Sequence, residues 1–223
     1  ALLQQPRPNA GQDRPDISLA IVDQVATQLH SIVDQKRGGL QGAPKFPQVP
    51  IFQLLWRHYL RTGDTTSRNH TLVTLRNISQ GGIYDHLGGG FARYSVDERW
   101  LAPHFEKMLY DNAQLIDLLV SVWQHTKDDL FRIRIEETVT WIAREMIAEH
   151  RAFAASLDAD SDGEEGTFYV WSQSEIENLL GSESNLFSEY YDVRPSGNWE
   201  GKVILNRLGA LDMLDDPLEA RLT

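Results

Sequence analysis

The chain has 223 residues, enough for one large domain, and 41% of them are hydrophobic with a mean hydropathy of -0.38, which suits a globular protein. Its 21 basic and 32 acidic residues give a net charge of -11, which disfavours nucleic acid or an anionic membrane as a partner, because either needs a basic face. The absence of cysteine excludes a disulfide framework, a thiolate metal site and a cysteine nucleophile within the chain, and no apolar run approaches the roughly 20 residues that span a bilayer.

Residues 1–15 are rich in proline, glutamine and asparagine and read as an arm or linker, without the charged start and apolar centre of a signal peptide. A cytoplasmic location is the expectation. Asp16 can cap a first helix to about Gln35, with Ile17, Ala20, Ile21, Val25, Leu29, Ile32 and Val33 on one face. Gly38 and Gly39 are expected to stop it. GGLQGAPKFPQVP then forbids regular structure and holds Lys45 and Phe46 in an extended segment between prolines. Lys45 is read either as a ligand-binding group on a rim loop or as a solvated lysine of a packed surface turn.

A second helix is predicted from Ile51 to Arg61, apolar on most of its circumference and therefore buried between others. Gly63 ends it, and Asp64 or Thr65 caps a third helix to about Gln80. That helix is expected to be an outer one, with Leu72, Val73, Leu75 and Ile78 as its apolar stripe. A fourth helix is predicted from Pro103 to His125, again apolar all round. A fifth, from Asp128 or Asp129 to Glu149, carries Ile135, Val139, Ile142 and Met146 opposite Arg134, Glu137 and Arg144. Alternating outer and inner helices fit a solenoid or a closed two-layer toroid, and the lack of a fixed-period repeat lowers the solenoid. From Arg151 the period changes to two: a strand, an acidic turn and a strand at 167–171, then short helices at 172–180 and 184–191 and a strand at 202–205.

The densest stretch in glycine, aromatic and ionisable residues is 81–112, GGIYDHLGGGFARYSVDERWLAPHFEKMLYDN, which reads as the floor of a pocket. The alternation in FARYSV predicts a strand, and a second could run through Arg99 to Leu101. Tyr84, Phe91, Tyr94 and Trp100 could offer stacking surfaces, and Asp85, His86, Arg93 and Asp97 hydrogen bonds, as a sugar pocket needs and as a packed hairpin also needs. If the fourth helix starts at Pro103, then His104, Lys107, Met108 and Asp111 share one face. His104 is then the best general acid or base, and the alternative is a capping histidine beside a Lys107–Asp111 pair. LDADSDGEEG lacks the full calcium-loop spacing, since Tyr169 stands at the twelfth position from Asp158. Asp158 is the residue of that run read as a carboxylate partner for His104, and the rest as a solvated turn.

GAPKFP, the 81–112 stretch, LDADSDGEEGTFYVW and NWEGKVIL, in that order, resemble the YyaL-type thioredoxin-domain-containing family, which includes spermatogenesis-associated-protein-like chains; the match covers residues 16–208. The resemblance implies a mainly α fold, a partial (α/α) toroid of the six-hairpin glycosidase type with inserted β-hairpins, related to N-acylglucosamine 2-epimerase and cellobiose epimerase. It divides the chain into the arm, the first hairpins at 16–149, an insertion over the toroid mouth at 150–208, and a tail at 209–223. Members usually carry a thioredoxin-like domain, absent here, and further helices, so the chain is expected to be a fragment.

The implied partner is a sugar-like small molecule, with the thioredoxin-like domain as a second, and no cofactor or metal is expected. An epimerase-like version has His104 moving a proton while Lys107 or Arg93 steadies an oxyanion; a glycosidase-like version uses Glu106 and Asp158. Expected site residues are thus His104, Glu106, Lys107, Asp111 and Asp158 for chemistry, and Lys45, Asp85, His86, Arg93, Tyr94, Trp100 and Tyr110 for ligand. The alternative function is a non-catalytic docking module for the thioredoxin-like domain.

Overall fold

Two-residue turns at 63–64 and 127–128 force the helices they join into antiparallel pairs, and the computed structural model is built around those two pairs. It describes residues 18–161 and 163–211. The arm, Asp16, Ile17, Asp162 and the tail from residue 212 lie outside the described residues.

Helix α1 (Leu19–His30) contacts α2 (Val49–Thr62) and α3 (Thr65–Gln80). Its buried side is narrower than its apolar stripe: Ala26 is buried and Leu29 partly so, while Ile21, Val25 and Ile32, expected inside, are exposed. The helix also ends well before Gly38. That glycine and Gly39 are needed for close approach, since a Cβ on Gly38 would lie 2.3 Å from the Thr74 Cα and one on Gly39 2.4 Å from the Trp100 ring.

Gly63, at φ 77°, ends α2 as expected, and the Asp64 carboxylate caps α3 by accepting from the Thr66 and Ser67 N–H groups. Helix α2 buries Val49, Phe52, Leu55 and Trp56 but leaves Leu60 exposed, so it is not enclosed all round. Helix α3 departs further from its expected half-exposed character. Its inward face is largely polar, with Ser67, His70, Thr71, Thr74 and Asn77 buried beside Leu75 and Ile78. Most of these groups have partners: Ser67 Oγ meets His30 Nε2 at 2.8 Å, and the Gly39 N–H donates to Thr74 Oγ1, while among the described residues His70 Nδ1 has none.

Helix α4 (Leu109–Thr126) packs on α2 and on α5 (Asp129–Glu145), and α5 packs on α3. The inner pair α2 and α4 is thus backed by the outer pair α3 and α5. Phe52, Leu55, Leu75, Leu118, Leu119, Val122 and Phe131 form the main core between them, each burial contributing about 1.5–3 kcal/mol. Helix α5 is rotated from its expected orientation. Arg134 faces inward at 1% exposure, while Val139 is 48% exposed. The guanidinium is compensated on every side, by Ser79 O, Gln80 Oε1, Glu137 Oε2 and the face of Tyr84.

Between α3 and α4 the chain folds back as short antiparallel ladders. Strand β1 (Tyr94–Ser95) pairs with β2 (Pro103–His104), and β3 (Lys107–Met108) pairs with β4 (Ser156–Leu157). Arg99–Leu101 is a turn rather than the expected strand, with Trp100 at φ 67°. The acidic run forms its own hairpin, β5 (Asp160–Ser161) with β6 (Glu164–Glu165). Strand β7 (Val170–Trp171) pairs with β8 (Val203–Ile204), so it is not the return strand of a hairpin with residues 152–158. Helices α6 (Gln173–Leu180) and α7 (Ser184–Tyr190) gather Ile176, Phe187, Tyr191, Val203 and Leu205 into a small second core. Among the described residues no helix is long and apolar enough to cross a membrane.

The 81–108 segment is fastened to α4 by one side chain. Asn112, fully buried, accepts from the Phe91 N–H at 2.8 Å and donates to Phe91 O and Met108 O at 2.9 Å. Replacing it with alanine orphans buried backbone groups. Asn112→Ala is expected to lower stability by about 3 kcal/mol in urea denaturation, more than Leu60→Ala on the exposed side of α2.

Candidate functional site

Residues 103–108 were expected to open a helix. Their backbone instead finds ladder partners in Tyr94–Ser95 and Ser156–Leu157, so the segment is extended and α4 begins only at Leu109. Extended backbone sends successive side chains to opposite sides. Pro103, Phe105 and Lys107 line a half-open cavity, while His104 and Glu106 face the other way. The predicted row of His104, Lys107, Met108 and Asp111 on one helix face is therefore overturned, and so is the Lys107–Asp111 pair.

On the His104 side lies an open shelf at the amino end of α4. The Tyr94 ring stacks on His104 with centroids 5.0 Å apart, and Phe46 packs on the other neighbour of that stack, 4.6 Å from Tyr94. Beside the rings, Arg93 Nη1 meets Glu106 Oε2 at 3.3 Å. Tyr110, 46% exposed, and Asp111 project from the first turn of α4, whose N-cap residue Met108 supplies no side-chain cap. Asp111 Oδ2 is buried and, among the described residues, has no hydrogen-bond partner. Burial raises its carboxyl to about 6; Arg93 opposes the shift and Glu106 adds to it. His104 Nδ1 lies 2.7 Å from Glu165 Oε1, so the acidic hairpin provides the histidine's carboxylate, but through Glu165 and not Asp158. Asp158 is exposed and accepts from the Asp160 N–H within its own turn.

On the opposite side, the cavity has a volume of about 320 Å³ and is bordered by Phe168, Tyr169 and Trp171 of the β7 segment. Two expected ligand-binding residues, Asp85 and His86, line it with Lys107. Their polar groups are already engaged. Lys107 Nζ donates to Asp85 Oδ2 at 2.7 Å and to Gly89 O at 2.8 Å, and it sits about 5 Å from the Trp141 and Tyr169 ring centroids. Burial lowers its pKa while Asp85 pulls it back up. His86 Nε2 donates to Gly81 O, and burial with the nearby Arg134 holds the ring neutral.

Two remaining residues lie away from both places. Lys45 is neither solvated nor presented on a rim: its ammonium, 1% exposed, is paired with Asp34 at 2.7 Å and bonded to Gly38 O. Trp100 is fully buried under Gly39, its indole N–H donating to Arg37 O. Phe46, Glu165, Tyr169 and Trp171 were not singled out as site residues. Phe46 could have been, because alternation in an extended segment that buries Lys45 turns Phe46 outward. Among the described residues no group of three or more histidines and carboxylates is arranged to hold a metal ion.

The elevated Asp111 pKa means that the folded chain holds this proton more tightly than the unfolded chain does. The stabilising contribution is complete below the unfolded value near 3.8 and is lost as pH rises through about 6. Asp111→Asn is expected to reduce the fall in stability between about pH 4 and 7 by about 1–2 kcal/mol, allowing for solvent screening, and carboxyl NMR should place the native titration near 6.

No family model matches the chain. Spermatogenesis-associated protein 20 of Homo sapiens is 32% identical over an alignment of 204 residues that covers 82% of this chain and 26% of that protein. The Mus musculus protein of the same name is 36% identical over 163 residues, 69% of this chain and 21% of that one. The chain thus spans about a quarter of the length of the curated relatives it matches. Among solved structures, a sugar epimerase from a ruminal bacterium superposes with a TM-score of 0.54 at 15% identity, covering 76% of this chain and 49% of that one. Cellobiose 2-epimerase from Bacillus thermoamylovorans gives 0.52 at 15% identity, with 78% and 56% covered. At such identities the likeness carries the fold, and it is the toroid that the sequence resemblance implied. The chain is homologous to spermatogenesis-associated protein 20 and has the mainly helical fold of six-hairpin toroids.

Proposed function

We propose that the shelf binds a sugar-like molecule and that its chemistry is epimerase-like proton transfer. The observation that carries this reading is the Asp111 carboxyl, which has a buried, unpartnered oxygen and titrates about 6 beside Arg93. A carboxyl with a pKa near neutrality can both take and return a proton at physiological pH. The Arg93 guanidinium is the cation on this face, so the oxyanion-steadying role falls to it and not to Lys107, which the wall turns into the cavity.

In the proposed step, a proton leaves the carbon beside the carbonyl of an open-chain sugar. The electron pair moves onto the carbonyl oxygen against Arg93, and a proton returns to the other face of that carbon. In this reading Asp111 and His104 take and give that proton. Tyr94, with Phe46 and Tyr110, offers the flat apolar surfaces on which a sugar ring packs. The fold shared with proteins named as sugar epimerases supports the substrate class by analogy. The glycosidase-like pairing of Glu106 with Asp158 is disfavoured, because Asp158 is held in its own turn.

Exposed aromatics at 46 and 110 would equally suit a docking surface for a thioredoxin-like domain. Sugar binding and turnover separate the two readings. In the protein that contains this chain, mono- and disaccharides are expected to give ligand-observed NMR contacts weakened about tenfold or more by Arg93→Ala, as when a charge-assisted hydrogen bond is lost. Deuterium from solvent should enter a sugar carbon, and Asp111→Asn should abolish that while keeping binding. Silence across the panel would transfer the shelf to the docking reading.

A further inference from the structure

The cavity behind the shelf is left unused by the proposed chemistry. None of Arg93, His104, Glu106 or Asp111 lines it. It has the features of a small-molecule site in its own right: a volume of about 320 Å³, mostly apolar and aromatic walls, and a few polar groups. Its ionised groups are balanced against one another. Lys107 is spent on Asp85 and Gly89 O, and Glu145 accepts from the Trp141 indole N–H and from Arg144. His86 is neutral. A charged guest would therefore lose its hydration and find no free counter-charge.

Two donors are left over. Among the described residues, neither the Tyr169 hydroxyl nor the Trp171 indole N–H has a hydrogen-bond partner, and both side chains line the cavity. Burial raises the Tyr169 hydroxyl to about 12, so it keeps its proton. The rings around them are already arranged for flat contacts: Phe105 and Tyr169 stack within 10° of parallel, and Phe168 stands 71% exposed at the rim. Apolar walls, internally cancelled charges and two unspent donors define one class of guest.

We propose that this cavity is a second binding site, separate from the shelf, for an uncharged aromatic or heteroaromatic molecule that carries a hydrogen-bond acceptor. The proposal stands independently of the shelf reading, since the two places share a wall but no side chain.

Coumarin is a suitable probe, being neutral, bicyclic and equipped with a carbonyl acceptor. Titrated into 15N-labelled protein, it is expected to shift the Trp171 indole resonance saturably. Tyr169→Phe, which keeps the ring and removes only the donor, is expected to weaken binding about tenfold, as is Trp171→Ala. Asp111→Asn on the shelf should leave the affinity unchanged. The proposal is overturned if no resonance responds saturably, if the shifts map to Arg93, His104 and Tyr110 instead, or if both cavity variants bind coumarin like the native protein.

Discussion

The arrangement depends on a single buried amide. Asn112 reproduces for Phe91 the two hydrogen bonds of a neighbouring strand, accepting from its N–H and donating to its carbonyl. A long, glycine-rich connection between two helices would otherwise carry unpaired backbone groups into the interior, at a cost of about 1–3 kcal/mol each. Asn112 sits one turn into α4, so the same bonds that satisfy the loop also fix its position relative to the amino end of that helix. Asp111, the preceding residue, is thereby held against Arg93 and Glu106. The placement of Asp111 is a consequence of how the loop is tied down.

Buried cations repeat this principle. Lys45 with Asp34 and Lys107 with Asp85 tie loops from within, while Arg134, paired with Glu137 in its own helix, reaches Ser79 O and Gln80 Oε1 of α3. Each ammonium also takes a backbone carbonyl, Gly38 O for Lys45 and Gly89 O for Lys107, and each lies near a tryptophan ring. Such pairs gain little over an apolar replacement, but losing one partner leaves a charge stranded. They specify which loop packs where. The glycines complete the fit: Gly90, at φ 85°, lies so close to Trp141 that a Cβ would stand 2.6 Å from the ring.

The helices were legible because their signals are local. Gly63 with Asp64, and Ser172 with Gly181, mark boundaries through groups that act within one turn. The faces of α1, α3 and α5 were not legible, since which side is inside depends on distant segments. Arg134 reads as a surface residue until Ser79, Gln80 and Tyr84 are known to surround it. The site was legible as a stretch but not as a geometry. Pro103 carries a strong helix-start signal, yet Tyr94–Ser95 pairs with Pro103–His104, and Ser156–Leu157, about fifty residues away, pairs with Lys107–Met108. That long-range pairing changes the period from 3.6 to two and redistributes His104, Glu106 and Lys107 between opposite faces.

This redistribution gives the two sides of the wall different electrostatic characters. Lys107 and Arg93 are both cations next to carboxylates, but Lys107 is 3% exposed and enclosed by rings, while Arg93 is 40% exposed. The enclosed pair is closed to exchange, because separating it would strand a charge in an apolar cavity. The open pair can trade part of its mutual contact for a ligand oxygen while remaining partly hydrated. Asp111 lies between these extremes. It is buried enough to raise its pKa and near enough to Arg93 for a change in that pair to alter its proton affinity. A ligand oxygen that draws Arg93 away from Asp111 would raise that affinity further, so binding itself would prepare the carboxylate to accept a proton.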